Sequence, residues 1–507
     1  MEETKKKNGF ASGIGFIFAA AGSAVGLGNL WGFPYKTSQG GGAVFVLLYI
    51  LCVLFIGVVT MLCEIYIGKR AQANPISAYK KAHKNLGFIG LVSIIIPFII
   101  TIYYSVLGGY TVKYTVNSFA GNAGILASFS NSKWQVILFT AIFIALALLI
   151  VMGGVKAGIE KASKILMPAL FIIMVGVVIF SLCLGEGVSD GLKYYLKPDF
   201  KAVDNWGKTI LAAMGQAFFS LSLGMGAMLT YGSYTDNKVN LVKSTAMICI
   251  FDTLIALLAG LAIFPAVFHY TATEGVSQAE LGMQGPGLLF ATLPRIFNNM
   301  GIAGKIVSFF FFAMVVIAAV TSVISLMEVV TQFVIQKFKL NRKIAIGIVS
   351  AIAFALSIPV GISLGSAFND GTTLFIFGVD LLTLFDTITN TVLMPVTAFF
   401  ACVTVGYIIG GKNAANEIEE AGTKLGWFKK VFVVMVRYIT PVLIAIVEIF
   451  GVLDLIFPNF NSFSNNGLGI VILAYALVAT AAAIYFAFFK DSYTGVNADE
   501  LTPPTEL

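Results

Sequence analysis

The chain reads as an all-α integral membrane protein of about twelve transmembrane helices. Ten form a five-plus-five inverted repeat with broken helices 1 and 6, and two more follow at the C-terminus. Three observations predict this. The 507 residues are 58% hydrophobic and 11% charged, too apolar for a soluble domain and full of runs near the ~20 residues needed to cross hydrocarbon. Basic residues gather at alternate ends of those runs. Two runs, the first and the sixth, are interrupted by glycine at corresponding places in the two halves, a pattern that points to a site at mid-membrane.

The runs lie near 10–35, 42–68, 88–120, 134–153, 163–184, 207–232, 241–269, 300–337, 343–361, 374–410, 430–457 and 466–489. Orientation follows from the basic residues. Lys5, Lys6 and Lys7 precede the first run, and Lys69, Arg70, Lys80, Lys81 and Lys84 follow the second. Lys156, Lys161 and Lys164 follow the fourth, and Lys337, Lys339, Arg342 and Lys343 the eighth. All fall on one side if both termini are cytoplasmic. This gives a cytoplasmic N-terminus 1–9, repeats 10–184 and 207–410, a cytoplasmic linker 411–429, a C-terminal pair 430–489 and a cytoplasmic tail 490–507. The start runs straight into a span with no leader cleavage site.

Composition also excludes functions. Cys52, Cys63, Cys183, Cys249 and Cys402 stand singly in apolar segments, and His83 and His269 are the only histidines, so neither a disulfide framework nor a metal cluster is expected. No nucleophile–base pair suggests an enzyme. The net charge of +7 is explained by the topological lysines, without nucleic acid.

The chemistry concentrates at Gly22-Ser23-Ala24-Val25-Gly26-Leu27-Gly28-Asn29 and at Gln216 to Gly226, within AFFSLSLGMGAML. Each glycine costs a helix interior about 1 kcal/mol, and bare backbone in a membrane is tolerated only where protein or a wet cavity surrounds it. Unwinding frees N–H groups that favour a carboxylate and carbonyls that suit a small hard cation. Asn29, Ser220 and Ser222 add side-chain oxygens. Ala318, Thr321 and Ser322 share a helix face at i, i+3 and i+4, with Leu326 one turn on, and Tyr104 offers a hydroxyl. Taken singly, Gly22-x-x-x-Gly26 is a common packing face, and Thr321 and Ser322 would bond back to their own helix. Glu64, Asp252 and Asp386 are intramembrane acids and functional candidates on that ground, although Glu64 alone could simply tie a frayed helix in place.

GSAVGLGNLWGFPY, CEIYIGKR, IYY, GQAFFSLSLGMGAMLTYGSY and AAVTSVISLM together resemble the neurotransmitter:sodium symporters, in particular bacterial amino-acid members, over nearly the whole chain. The resemblance implies two sodium ions and one amino acid bound together in the plasma membrane. The first sodium would meet the Ala24 carbonyl, Asn29, Ser220, Asp252 and the substrate carboxylate. The second would meet the carbonyls of Gly22, Val25 and Ala318 and the hydroxyls of Thr321 and Ser322. The substrate would lie against Ala24, Gly26, Leu27, Gly28, Tyr104, Phe219, Ser220 and Ser222. Ile100, Phe219, Met225 and Leu326 would line its side-chain pocket, with Phe219 as a lid. The outer gate departs from the family pattern. Its acid is Asp386, but its arginine position is Gly32, with Lys36 one turn further out. On the cytoplasmic side Lys7 fits a basic gate residue while its acidic partner is Gln336, and Phe10 and Gly13 stand where the family has Trp and Arg.

The expected activity is sodium-coupled import of an amino acid by alternating access. Gly26 stands where amine-carrying relatives place an acid, so the substrate must bring its own carboxylate. The uncharged pocket favours a large hydrophobic or aromatic side chain. Asp252 and Ala256 stand where chloride-requiring relatives have Asn and Ser, so transport is expected to be independent of chloride. A carboxylate about 5 Å from sodium at an effective dielectric near 20 supplies roughly 3 kcal/mol. Asp252 could also take up a proton when sodium leaves. The rival reading is a non-transporting amino-acid sensor, or a subunit of a membrane complex with the same fold. The absence of any added soluble region in the sequence disfavours it.

Overall fold

The computed structural model describes residues 9–236, 239–276, 287–369 and 371–456. The twelfth span near 466–489, the tail 490–507 and Lys5, Lys6 and Lys7 lie outside the described residues. Helices α1 to α11 number the spans in chain order. α1 comes in two pieces, α1a (Gly13–Ala24) and α1b (Gly28–Gln39), bent by 50°. Then follow α2 (Ala43–Ala71), α3 (Lys84–Asn117), α4 (Lys133–Met152) and α5 (Val155–Leu182). α6 is again in two pieces, α6a (Trp206–Ser220) and α6b (Ala227–Ser233). The rest are α7 (Leu241–Glu274), α8 (Gly301–Phe338), α9 (Arg342–Ala367), α10 (Leu381–Ile408) and α11 (Phe428–Gly451). Among the described residues there is no strand, only the isolated bridge Ile376–Val379.

The chain is all-α and membrane-spanning, with backbone polar groups satisfied inside the helices, as a lipid environment requires. α3 and α8 pack on each other most extensively and form the centre, with α4, α5 and α9 outside them. The apolar window of α3 is 67% buried while those of α4 and α5 are 33% buried, so the last two turn most of their surface outward. Exposed Leu149, Ile172 and Ile165 lie on that face, as expected of groups that meet lipid. α1a is held among α5, α7 and α8, and α6b lies on α2. The α2–α6b contact is backbone-close: a Cβ on Gly68 would sit 1.9 Å from the Leu229 carbonyl oxygen, and one on Gly232 would sit 2.4 Å from that of Ile65. Small residues allow this approach between membrane helices.

Several boundaries differ from those read in the sequence, among them the start of α5 at Val155 and the end of α9 at Ala367, and three differences have a plain local cause. The breaks are shorter than the glycine pattern: Gly22 and Ser23 are still helical, and the second break covers only 221–226. In lipid every unwound residue exposes backbone, which keeps the gap minimal. α10 begins at Leu381 rather than near 374, where the Asp380 carboxylate accepts from the N–H groups of Leu382 (3.0 Å) and Thr383 (3.1 Å) and caps the helix. The segment 411–429 contains a helix, Gly411–Glu420, which buries Ala414, Ala415 and Ile418. Arg70 of α2 pairs with its Glu417 at 2.9 Å.

Candidate functional site

The two breaks meet at the centre of the bundle. At the first, Gly26 has no room for a side chain: a Cβ would lie 2.6 Å from Ser322 Oγ and 2.8 Å from the Tyr104 hydroxyl. At the second, Ser222, Gly224 and Gly226 all have positive φ, of 53°, 75° and 70°, a conformation that glycine takes freely and serine rarely does. The freed backbone groups are met by side chains, as buried ones must be. Glu64 of α2 accepts from the Gly224 N–H at 2.6 Å, Thr397 of α10 donates to the Gly224 carbonyl, and Ser222 Oγ donates to the Ser23 carbonyl at 2.9 Å. Glu64 thus holds the broken helix in place.

Between the breaks lies a narrow cavity of about 20 Å³, lined by Ala24, Gly26, Gly28, Ile100, Tyr104, Phe219, Ser222, Met225 and Leu326, together with Ser23 and Ser322. This is about one water's worth of space, because the side chains close on it. The Phe219 ring lies over Gly28, where a Cβ would be 2.6 Å from Cδ1. The Leu27 N–H donates to the Tyr104 hydroxyl at 3.0 Å, so an unwound amide already points at that oxygen. Leu27 and Ser220, both expected at the substrate, stand just outside the lining.

Ser220 belongs to a fully buried cluster around Asp252. The Asp252 carboxylate accepts from Asn29 Nδ2 at 2.8 Å, Ser220 Oγ at 2.7 Å and the Tyr49 hydroxyl at 3.3 Å. Asn29 Nδ2 also reaches Ser220 Oγ at 2.9 Å, and Asn29 Oδ1 accepts from the Gly26 N–H at 3.0 Å. The expected amide oxygen of Asn29 therefore faces backbone, because the carboxylate draws the NH₂ group toward itself. Turning this amide over would present its oxygen to a cation beside Asp252. Tyr49 of α2 escaped the sequence reading: a lone tyrosine in an apolar run carries no spacing signal.

On the other face of α1, Ser322 Oγ lies 3.4, 3.2 and 3.1 Å from the carbonyl oxygens of Gly22, Ser23 and Val25. Thr321 Oγ1 donates to Ile317 and Ala318 carbonyls of its own helix, both at 3.0 Å. Carbonyls of two helices and two hydroxyls converge there, a donor set suited to a hard cation. Among the described residues no cluster of His, Cys, Asp or Glu could hold a transition metal.

Toward one end of the bundle, Asp386 accepts from the Tyr103 hydroxyl at 2.9 Å and from Asn390 at 2.5 Å. Lys36 feels its charge but makes no direct ion pair with it. Gln216 lies beside Gly32, donates to the Gly28 carbonyl at 2.8 Å and leaves Oε1 unpartnered. Toward the other end, fully buried Glu328 of α8 accepts from the Tyr234 hydroxyl at 2.6 Å and from Arg342 Nη1 at 3.0 Å, with a second contact to Nη2. Phe10 packs edge-on against Tyr231 and Tyr234, and Gln336 accepts from Asn74 Nδ2 at 2.6 Å. The pairing of buried Glu328 with half-buried Arg342 was not foreseen: an arginine fourteen residues from a glutamate has no helical register to betray it.

Comparison with known proteins agrees with this arrangement. The family model "Sodium:neurotransmitter symporter family" matches residues 7–135 and 122–491. The chain is 32% identical over 470 residues to an uncharacterised sodium-dependent transporter of Haemophilus influenzae, covering 88% of this chain and 98% of that one. It is 33% identical over 463 residues to the uncharacterised sodium-dependent transporter YhdH of Bacillus subtilis, with the same coverage. Among solved structures it resembles MhsT in complex with L-phenylalanine, with a TM-score of 0.78 and 35% identity over 87% of this chain and 99% of that one. With two broken helices meeting at a buried cavity, and with matches along nearly its whole length, this chain belongs to the sodium:neurotransmitter symporter family and is a sodium-dependent transporter.

Proposed function

We propose that the chain imports an amino acid with a large hydrophobic or aromatic side chain, together with sodium and without chloride, by alternating access across the plasma membrane with both termini cytoplasmic. The observation that carries the reading is the mixed lining of the cavity. Ala24, Gly26 and Gly28 of the broken α1 and the polar side chains of Tyr104, Ser222 and Ser322 line it together with apolar Ile100, Phe219, Met225 and Leu326. The polar groups match a zwitterion and the apolar ones a hydrophobic side chain. The room that Gly26 leaves is taken up by Tyr104 and Ser322, so no protein acid is available to pair with an amine that lacks its own carboxylate. The L-phenylalanine in the MhsT complex supports the side-chain class.

In this reading one sodium lies at Ala24, Asn29, Ser220 and Asp252 beside the substrate carboxylate. A second lies at Gly22, Val25, Ala318, Thr321 and Ser322. Lys36, Phe219 and Asp386 form the outer gate. Ala256 is buried where an anion-binding hydroxyl would be needed, and Asp252 supplies fixed negative charge instead. Each charge carried inward across 100 mV contributes about 2.3 kcal/mol. The test is uptake into proteoliposomes under a sodium gradient, with the twenty amino acids as competitors and chloride replaced by gluconate. Leu, Met, Phe, Tyr and Trp should compete best, and gluconate should leave the rate unchanged. Better competition by Gly, Ala or Glu, or a large loss in gluconate, would sink the respective part.

A further inference from the structure

A second cavity is much roomier than the central one. It has a volume of about 260 Å³ and lies between α4, the end of α9 and the short helix Ile125–Asn131. Nothing in the transport reading uses it. Its two ends differ in chemistry. The deep end is walled by Val136 and Ile137 of α4 and Phe354, Ile358 and Ile362 of α9. All but Val136 are half-buried, so this end opens onto the outward, lipid-facing side of the bundle. The shallow end carries Asn131, Lys133, Ser366, Asn369 and Thr373, at the level where the spans stop.

Two features of the shallow end favour an anion. Lys133 is exposed and makes no ion pair among the described residues. It also begins α4, a helix of 20 residues whose first turn has no side-chain cap, so free amides and the positive end of the helix dipole lie beside the ammonium. A third feature lies deeper. Thr140 is 3% exposed and lines the cavity, and its hydroxyl has no partner. Threonine in a helix ordinarily bonds back to a carbonyl one turn earlier, as Thr101 and Thr404 do here. A buried hydroxyl without a partner is unfavourable and points to an acceptor that enters from outside. Seven residues separate Lys133 from Thr140, a rise of about 10 Å.

We propose that this crevice binds one anionic phospholipid of the leaflet facing the start of α4. The phosphate lies against Lys133 and the free amides, an ester carbonyl accepts from Thr140, and an acyl chain fills the apolar end. The inference does not depend on which amino acid is carried. A free phosphate would satisfy the ammonium but leave the apolar walls and Thr140 unmet, which is why the occupant is a lipid.

The test is native mass spectrometry of the full chain released from vesicles of phosphatidylglycerol and phosphatidylcholine in equal parts. The wild type should retain one phosphatidylglycerol in at least fivefold preference. Lys133→Gln should abolish the preference, Lys133→Arg should keep it, and Thr140→Val should lower retention without changing the headgroup preference. Adding inorganic phosphate should displace nothing. Equal retention of the two lipids by the wild type, an unchanged preference in Lys133→Gln, or displacement by phosphate would each overturn the proposal. Lys133 is on the surface, so its variants should fold, and the wild-type comparison decides the matter without any variant.

Discussion

Gly26 shows how tightly the centre is specified. A single methyl there would press on both Ser322 and Tyr104, and neither belongs to a flexible end with room to retreat. Gly26→Ala should therefore cut uptake at least tenfold and destabilise the protein by about 1–3 kcal/mol, the range of a local overpacking; unchanged uptake would count against a substrate in this cavity. Ser322 and Thr321 differ in what they touch. Ser322 reaches three carbonyls of α1, whereas Thr321 donates within α8. Ser322→Ala should raise the sodium concentration for half-maximal uptake about tenfold and Thr321→Ala about threefold, the scale of one or two weak polar contacts. Identical sodium curves in both variants would remove the second cation site. Glu64 accepts from a buried amide, and glutamine can accept in the same way. Glu64→Gln should thus be mild, while Glu64→Ala should cost about 1–3 kcal/mol for the orphaned N–H, read as a lowered melting temperature.

Helices α1 and α6 each consist of two half-helices; both halves of α6 lie along α2, and both halves of α1 touch α7. α6b is fixed to α2 through Gly68 and Gly232, where backbones touch. A side chain at either place must push the helices apart. Gly68→Val is expected to destabilise the protein by at least 1–3 kcal/mol, whereas Gly347→Val on α9, with nothing within 4 Å of its Cβ position, should be neutral. Equal melting temperatures for the two variants would mean that α2 and α6b are not held together in this way. α1a is gripped by α5, α7 and α8, and its start is tied down where Ala11 N–H and Ser12 Oγ donate to Glu160 at 2.6 and 3.0 Å. In the alternating access proposed above, tilting of a half-helix would be taken up at these breaks.

Across the whole molecule, the two ends of the bundle differ in chemistry. One end has Asp386 bonded to Tyr103 and Asn390. The other has the network of buried Glu328 with half-buried Arg342 and Tyr234, next to Phe10. Removing one partner of a buried ion pair strands a charge and costs about 3–5 kcal/mol. Arg342→Ala should therefore destabilise the protein strongly, and adding Glu328→Gln should restore part of the loss. No restoration in the double variant would show that Arg342 acts through its bond to the Val151 carbonyl, 2.8 Å away, and not through the acid.

Resemblance to the family implied most of the cavity wall, and the sequence by itself determined the membrane class, the spans among the described residues and the places of both breaks. Each is encoded locally: apolar run length answers to bilayer thickness, and glycine in such a run answers to the cost of unwinding. Tertiary structure alone decided which way the Asn29 amide faces, that Tyr49 joins Asp252, that Glu328 finds Arg342 and that Thr140 is left without a partner. Those outcomes depend on side chains from helices far apart in sequence meeting in three dimensions. Hydrogen-bond partners are chosen by angstrom-scale geometry and by competition among nearby donors, and neither is written in the order of residues along one helix.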